Sequence, residues 1–549
     1  MTTKIIPPTP SAYSYPLLIK NLLITPLAYY PEQTIHYRDL VSYTYRDLNK
    51  RIHRLANGLT KLGIKEGDTV AVMDWDSHRY LECFFAVPMM GAILHTVNIR
   101  LSPDQLLYTI NHAEDDILLV NREFLPLVEA IRSQFTKEIK IILISDIPDP
   151  VATSVDIEIE YEELLRQGSD SFDFPDFDEN SVATTFYTTG TTGLPKGVFF
   201  SHRQLVLHTL NLAVDLGSYH TQANVTSADV YMPMTPMFHV HAWGMPYYMT
   251  LLGSKQIYPG RYEPATLLNL ISTYKVSSTH CVPTILHMLL SHPAAKTVDL
   301  KGLKMVIGGS SLPKGMCLAA MEHGINLITG YGMSETCPIL TIANLKPHML
   351  GLGKAEQAHY RCRTGLPIPS VKLAILDPEG KELPHDCKAT GEVVVRTPWL
   401  TQGYFKDPER SEELWADGWL HTGDIGFIDE EGYLQITDRL KDVIKTGGEW
   451  VSSLELESMI SQHPAVSEVA VIGVPDPKWG ERPMALIVPK DTFRDTLSQE
   501  DIITFLLKSV EEGTIPKYAV PGQILIVDSI AKTSVGKLNK KVLRKEYSS

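Results

Sequence analysis

The sequence predicts an α/β protein, with a large N-terminal part of doubly wound α/β lobes plus a β-rich lobe, and a small α+β lobe at the end. Three observations carry this. Buried-strand runs alternate with helical periodicity through the first third. Short runs separated by Gly-containing turns take over from Val371. Alternation then resumes toward Ser549. At about 150 residues per domain, 549 residues amount to three or four lobes, two of which can share one core.

Taken in order, Leu48, Ile52, Leu55, Ala56, Leu59 and Leu62 recur at three- and four-residue steps, so a helix opens at Tyr43–Leu48 and Gly63 stops it. Lys65–Asp68 turns into the buried strand Thr69–Met73. A helix around His78–Met90, the run Gly91–Val97, a helix from Pro103 and strands at Ile117–Val120 and Ile139–Ile144 follow. This third reads as scaffold.

Next, the strand-like run Ser181–Phe186 leads into Tyr187-Thr188-Thr189-Gly190-Thr191-Thr192-Gly193-Leu194-Pro195-Lys196-Gly197, and the apolar Val198-Phe199-Phe200 follows. Glycines let a backbone approach a ligand closely, and successive N–H groups form an anion-binding nest. Threonine hydroxyls add donors, and Lys196 supplies a point charge suited to phosphate. The G-x-x-x-x-G-K-[ST] pattern is absent, because Lys196 follows Pro195. Ser201-His202-Arg203 begins a helix through Leu216. Pro233–Tyr248 is rich in aromatic and flexible side chains, for most of which core packing is the simpler account. His239 and His241 stand two apart, but no third metal ligand is placed.

Val306–Ser311 and Ile328–Thr336 each read as a strand running into a Gly-containing turn, and strand ends are where open α/β sheets bind ligands. Glu335 is a hard oxygen donor among hydroxyls, as a Mg²⁺ that also touches phosphates requires. In the β-rich part, Lys372–Leu376, Gly391–Arg396 and Gly432–Thr437 are separated by Asp-Pro-Glu-Gly, Asp-Gly and Glu-Glu-Gly turns, with Trp419-Leu420-His421-Thr422-Gly423-Asp424 inside it. After Thr437–Lys445 and Thr446–Trp450 come a helix from Ser452–Ser453, strands at Glu468–Val474 and Met484–Val488, and a helix near Ser498–Glu511.

Composition excludes several classes. A net charge of −14 lacks the basic footprint of a nucleic-acid binder. The six cysteines show no C-x-x-C pairing, which fits reduced thiols in a cytoplasmic protein better than a disulfide framework or a zinc site. The longest apolar run, Cys83–Leu94, contains Pro88 and is too short to span a bilayer. No cationic segment followed by an apolar one opens the chain, so a soluble, unsecreted protein is expected. G-x-S-x-G and any obvious nucleophile–base motif are absent.

Five segments, in this order, resemble the adenylate-forming superfamily of acyl- and aryl-CoA synthetases, firefly luciferase and peptide-synthetase adenylation domains. They are the Thr/Gly/Lys loop, Tyr331-Gly332-Met333-Ser334-Glu335-Thr336, His421-Thr422-Gly423-Asp424, Asp438-Arg439-Leu440-Lys441-Asp442, and Lys532-Thr533 with Gly536-Lys537. Two departures stand out: Thr189 replaces a frequent Ser, and Ala531 a frequent Pro. The wording of Asp438–Val451, with His239–Trp243, looks most like the medium/long-chain fatty-acyl-CoA synthetase branch.

The resemblance implies an AMP-forming acid–CoA ligase using ATP, Mg²⁺ and coenzyme A, with an N-terminal domain over 1–437 and a mobile C-terminal domain over 438–549. The hinge would be 438–441, with Asp438 and Lys441. It implies that Thr188, Thr189, Gly190, Thr191, Thr192, Gly193 and Lys196 hold the phosphates, and that Glu335 with Thr188 ligates Mg²⁺. Gly308, Gly309, Ser310, Gly330, Tyr331 and Gly332 would line the adenine, with Thr336 near the α-phosphate, and Asp424 with Arg439 would hold the ribose. Lys537 would serve adenylation. Lys445, Gly447, Gly448, Glu449 and Trp450 would meet CoA after the small lobe rotates. His239 would act at the reacting centre, and His239, Val240, Trp243 and Gly332 would bound the acyl pocket, Trp243 as a tunnel gate or as packing. The acid is expected to be fatty or otherwise hydrophobic. A cyclic, aromatic or short thioether acid, or loading of a carrier protein instead of CoA, stays open, as does a homodimer.

Overall fold

A computed structural model describes residues 4–188, 194–219, 223–439, 442–446, 449–511, 515–533 and 537–547, the side chains of Glu449 and Trp450 excepted. Thr189–Gly193, Lys441, Gly447 and Gly448 therefore lie outside the described residues.

Two open sheets form the large part, among the described residues. The first runs, edge to edge, Ile159–Glu160, Lys140–Ile144, Ile117–Asn121, Thr69–Met73, Ile93–Thr96, Val182–Tyr187, Gly197–Ser201. All neighbours are parallel except the last pair. That antiparallel edge is a hairpin whose connection is the Thr/Gly/Lys loop. The second sheet has nine strands. Its central run Asn326–Gly332, Lys304–Ile307, Ser278–Cys281, Val230–Met234, Lys255–Tyr258, Thr34–Tyr37 is parallel. Strands buried on both faces read as continuous apolar runs, which is why Thr69–Met73 and Ile117–Asn121 were visible in the sequence and are buried throughout.

Helices cover these sheets. Tyr45–Lys61 starts in a capping box between Thr44 and Asp47 and buries Leu48, Ile52, Leu55, Ala56 and Leu59. His78–Met89 is buried at every residue, so the apolar run flagged in the sequence is an interior helix. Its one acid, Glu82, is fully buried and takes Arg51 Nε at 2.7 Å and the Tyr161 hydroxyl at 2.7 Å. A buried carboxylate needs such partners. Among the described residues no helix is long and apolar enough to cross a membrane.

The β-rich part is an antiparallel sheet of Lys372–Leu376, Gly391–Arg396, Trp419–Ile428 and Trp415–Ala416, with Leu434–Arg439 paired to the long Trp419–Ile428. The terminal lobe is built on the pair Val466–Asp476 and Gly480–Pro489, with Gln523–Ile526, Ile444–Thr446 and Glu449–Val451 beside it. It has its own core around Leu456, Ile460, Val471, Ile487 and Leu506. The last described helix, Lys540–Tyr547, packs Leu543 on a second small cluster with Ile472 and Leu486.

Candidate active site

Between the large part and the terminal lobe lies a cleft of about 1600 Å³. Thr188, Lys196, Gly309, Ser310, Gly330–Glu335, Asp424, Arg439 and Lys537 all line it. Segments distant in sequence thus meet as the motif order suggested.

The hairpin closes beneath the phosphate-type loop: Thr188 N–H donates to the Lys196 carbonyl at 2.9 Å. Lys196 Nζ sits 4.3 Å from the centroid of the Tyr404 ring, a cation–π contact. The Tyr404 hydroxyl donates to Glu335 Oε1 at 2.7 Å, and the Glu335 carbonyl accepts from Thr401 N–H at 3.0 Å. Glu335 stands in a 3₁₀ turn, Ser334–Thr336, that ends the strand Asn326–Gly332. Tyr404 was not singled out in the sequence. It sits in Leu400–Asp407, which no motif marks, yet Phe405 N–H donates to the Gly197 carbonyl at 2.8 Å and holds the segment on the loop's exit strand.

Asp424 and Arg439 are register partners on neighbouring strands. Asp424 accepts the Tyr331 hydroxyl at 2.7 Å and faces Arg439 Nε at 3.3 Å. Burial raises the Asp424 carboxyl, against the pull of Arg439 and Tyr331. Gly332 packs against the chain: a Cβ there would lie 1.7 Å from the Pro338 carbonyl oxygen. Thr336 does not reach the cleft. It is fully buried, and its hydroxyl is spent on Met333 and Pro338 within the turn.

Lys537 enters the cleft from the terminal lobe. Its Cε lies 3.2 Å from where a Cβ on Gly309 would stand. Among the described residues its ammonium has no hydrogen-bond or ion-pair partner. Burial, with Arg439 adding repulsion, pushes it down from 10.5 to about 8, while Asp424 and Glu335 pull the other way. Lys537 is half-buried, and a partly desolvated cation without a partner among the described residues is costly, so this end of the cleft suits an anion. Lys445, by contrast, is exposed on Ile444–Thr446 and lies off the cleft wall, its N–H donating to Glu481 Oε2 at 3.1 Å.

Beside Lys537 a small cavity of about 30 Å³ is bounded by His239, Val240, Trp243, Gly308, Gly332 and Pro338. Trp243 forms one wall: a Cβ on Gly308 would stand 3.0 Å from Trp243 Cη2 and 2.8 Å from the Gly330 carbonyl oxygen. Burial, with Lys537 next, pushes His239 down to about 3, which keeps the ring neutral at pH 7. Val240, His241, Ala242 and Trp243 have φ of 47, 55, 48 and 61°, a turn of left-handed helix that L-residues avoid at about 1–2 kcal/mol each. Propensity could not have signalled it. His241, fully buried among Phe84, Phe186, Phe200 and Tyr247, has neither ring nitrogen partnered. With His239 on the cavity wall and His241 in this aromatic nest, the pair does not converge, and no group of three or more metal-ligating side chains occurs among the described residues.

Comparison with known proteins fits this geometry. A family model described as AMP-binding enzyme matches residues 26–405, and the AMP-binding enzyme C-terminal domain matches residues 455–537. A long-chain-fatty-acid–CoA ligase of Thermus thermophilus is 41% identical over 516 residues, 93% of this chain and 92% of that one. A 3-methylmercaptopropionyl-CoA ligase of Ruegeria lacuscaerulensis is 37% identical over 539 residues, 97% of each chain. Among solved structures, ATP-bound MatB from Rhodopseudomonas palustris superposes with a TM-score of 0.81 at 27% identity, covering 97% of this chain and 99% of that one.

Proposed function

Since the chain belongs to the AMP-binding enzyme family and is an AMP-forming acid–CoA ligase, we propose that its acid is fatty or otherwise hydrophobic and that Lys537 and Lys445 serve successive half-reactions. In the first half-reaction a carboxylate oxygen attacks the α-phosphorus of ATP, giving acyl-AMP and pyrophosphate. In the second the CoA thiol attacks the acyl carbon and AMP leaves. The incoming thiol is the nucleophile, so no protein Ser or Cys is needed, and the protein's share is positioning and charge stabilisation.

The observation that carries the assignment of Lys537 is its ammonium, without a hydrogen-bond or ion-pair partner among the described residues, where the cleft meets the small cavity. There it would offset charge on the carboxylate and α-phosphate. Lys196 and the Thr188–Gly193 loop would hold the departing pyrophosphate. Asp424 would accept the two ribose hydroxyls with Arg439 beside it, and Gly309, Ser310 and Gly330–Gly332 would flank the adenine. Glu335, with one carboxylate oxygen taken by Tyr404, and the Thr188 hydroxyl form a hard-oxygen set on the cleft wall that suits Mg²⁺. That ion would offset charge on the β- and γ-phosphates. The separate core of the terminal lobe, from Ile444 onward, supports a distinct C-terminal domain, while Asp438 and Arg439 still pair within the β-rich sheet. Lys445, exposed on that lobe, supports a second orientation in which Lys445, Gly447, Gly448, Glu449 and Trp450 face CoA. Six free thiols support a cytoplasmic site of action.

The apolar walls at Val240, Trp243 and Ile339 and the fatty-acid relative support a hydrophobic acid. The cavity's small size behind Trp243 favours, as a second reading, a short acid such as the thioether acid of the Ruegeria relative. Pyrophosphate release over a panel of straight-chain, thioether, aromatic and alicyclic acids separates the two: a rising kcat/KM with chain length supports the first, a maximum at three or four carbons the second. Thioester formed only with a holo-carrier protein, and none with CoA, would overturn the choice of thiol.

A further inference from the structure

Three residues after Lys537 the helix Lys540–Tyr547 begins, and its first residue is a buried cation. Lys540 Nζ donates to Ser453 Oγ at 2.5 Å and pairs with Glu457 Oε1 at 2.8 Å. Ser453 passes the contact on: its Oγ–H and N–H donate to Asp438 Oδ2 at 2.5 and 2.9 Å. Asp438, Ser453, Glu457 and Lys540 are 2, 0, 7 and 9% exposed, so this is a desolvated chain of contacts with solvent unable to replace its links. One helical turn on, Arg544 pairs with Asp442. Asp442 N–H donates to the Arg439 carbonyl at 2.8 Å, and the Arg439 side chain faces Asp424 in the cleft. Residues four apart share a helix face. The two cations on one face of the terminal helix thus grip both sides of the stretch where the chain leaves the β-rich sheet.

We propose that Lys540 and Arg544 are positioning residues for adenylation: they tie Asp438 and Asp442, on either side of the crossover, to the helix behind Lys537, so that Lys537 stands in the cleft only while these contacts hold. The idea rests on the reading of Asp438 as the pivot. Without Lys540, Glu457 loses its buried counter-charge and Ser453, which donates to Asp438, loses its own donor, and these contacts relax toward a geometry that hydrates the carboxylates. Lys537 is displaced with the helix start, although it touches neither Lys540 nor Arg544. Acyl transfer, in which the proposed function gives Lys537 no part, does not need this arrangement.

The test uses the full chain with Lys540→Met, Arg544→Gln and the charge-retaining Lys540→Arg, and Lys537→Ala alongside. ATP–pyrophosphate exchange reports adenylation, supplied acyl-AMP plus CoA reports acyl transfer, and thermal unfolding reports the fold. Lys540→Met and Arg544→Gln are expected to lose tenfold or more in exchange while acyl transfer stays within twofold, and Lys540→Arg to recover most of the loss. The alkaline break in the exchange profile, which belongs to Lys537, should move upward in Lys540→Met as the ammonium regains water. Equal losses in both half-reactions, or none in exchange, with Lys537→Ala still separating the two, would overturn the proposal and leave the pivot standing. If Lys537→Ala also fails to separate them, the two-orientation reading itself is wrong. Arg544→Gln, at a half-buried site, keeps the test decisive should Lys540→Met unfold.

Discussion

The pH dependence of adenylation should report the burial of Lys537. Burial and Arg439, opposed by Asp424 and Glu335, push its ammonium down from 10.5 to about 8, beside the neutral His239. At 1.36 kcal/mol for each tenfold change, keeping it charged in place costs about 3 kcal/mol relative to solvent. The sign follows from proton counting. A withdrawn lysine holds its proton up to pH 10.5 and the inserted one only to about 8, so the inserted arrangement gains stability as pH rises across that window and none below it. Catalysis runs the opposite way, because only the ammonium can offset charge on the α-phosphate and carboxylate. The kcat/KM for ATP in pyrophosphate exchange, a free-enzyme quantity, should therefore fall about 20-fold between pH 7.5 and 9.5. The break in kcat should lie higher, since bound phosphates restore the ammonium. Lys537→Arg should abolish the break. A flat kcat/KM from pH 7 to 10, or a break that survives in Lys537→Arg, would refute the reasoning.

Other consequences are direct. Tyr404→Phe removes the hydroxyl that donates to Glu335, at about 1–3 kcal/mol for a buried acceptor; a Mg²⁺ titration of exchange should shift to higher concentration, with acyl transfer from acyl-AMP unchanged. Lys445→Ala should accumulate acyl-AMP while exchange proceeds normally; undiminished thioester output from this variant would remove Lys445 from the second step. Gly332→Ala cannot be accommodated without moving backbone, given the 1.7 Å approach to Pro338, and should lower the melting temperature as well as exchange; an unchanged melting temperature would falsify that reading of the contact. Lys196→Ala should depress exchange by about 10²-fold and acyl transfer far less.

The scaffold was legible because its strands and helices obey local rules. Thr69–Met73 and Lys372–Leu376 lie where their apolar pattern put them, and Ser201 caps its helix with Gln204 as the sequence of the turn suggests. What was not legible depended on tertiary partners. Thr34–Tyr37 pairs with Lys255–Tyr258 and Val41–Thr44 with Thr34–Tyr37, and each alternates over only four residues, too short a run to stand out along the chain. Tyr404 has no motif of its own, and its role comes from a fold that lays Leu400–Asp407 across Lys196 and Glu335. Thr336, counted with the cleft by its neighbours in sequence, is turned inward by its hydrogen bonds to Met333 and Pro338. Adjacency along the chain gave the motif, and side-chain direction decided the wall.

Three departures of this chain from its own local rules border one point. Four consecutive residues in left-handed conformation at Val240–Trp243 cost several kcal/mol. Among the described residues, the half-buried Lys537 ammonium has no partner, and His241 is sealed among aromatic rings with both nitrogens unpaired. Strain survives only where surrounding structure over-determines it, and here the constraint comes from both sides: Phe84, Phe186 and Tyr247 hold His241 from the first sheet and its helices, while Gly308 of the second sheet admits the Trp243 ring. Each cost is relieved by a different event. A phosphate or carboxylate oxygen would pair Lys537, and an acyl chain that displaces Trp243 would let the turn relax toward right-handed geometry. Because Trp243 and Lys537 line the same small cavity, the proposed function predicts that a hydrophobic acid and ATP each tighten the other's binding. Equilibrium dialysis of a non-hydrolysable ATP analogue with and without the acid measures that coupling, and equal affinity in both conditions would show that the strain of the turn is not shared with the nucleotide site.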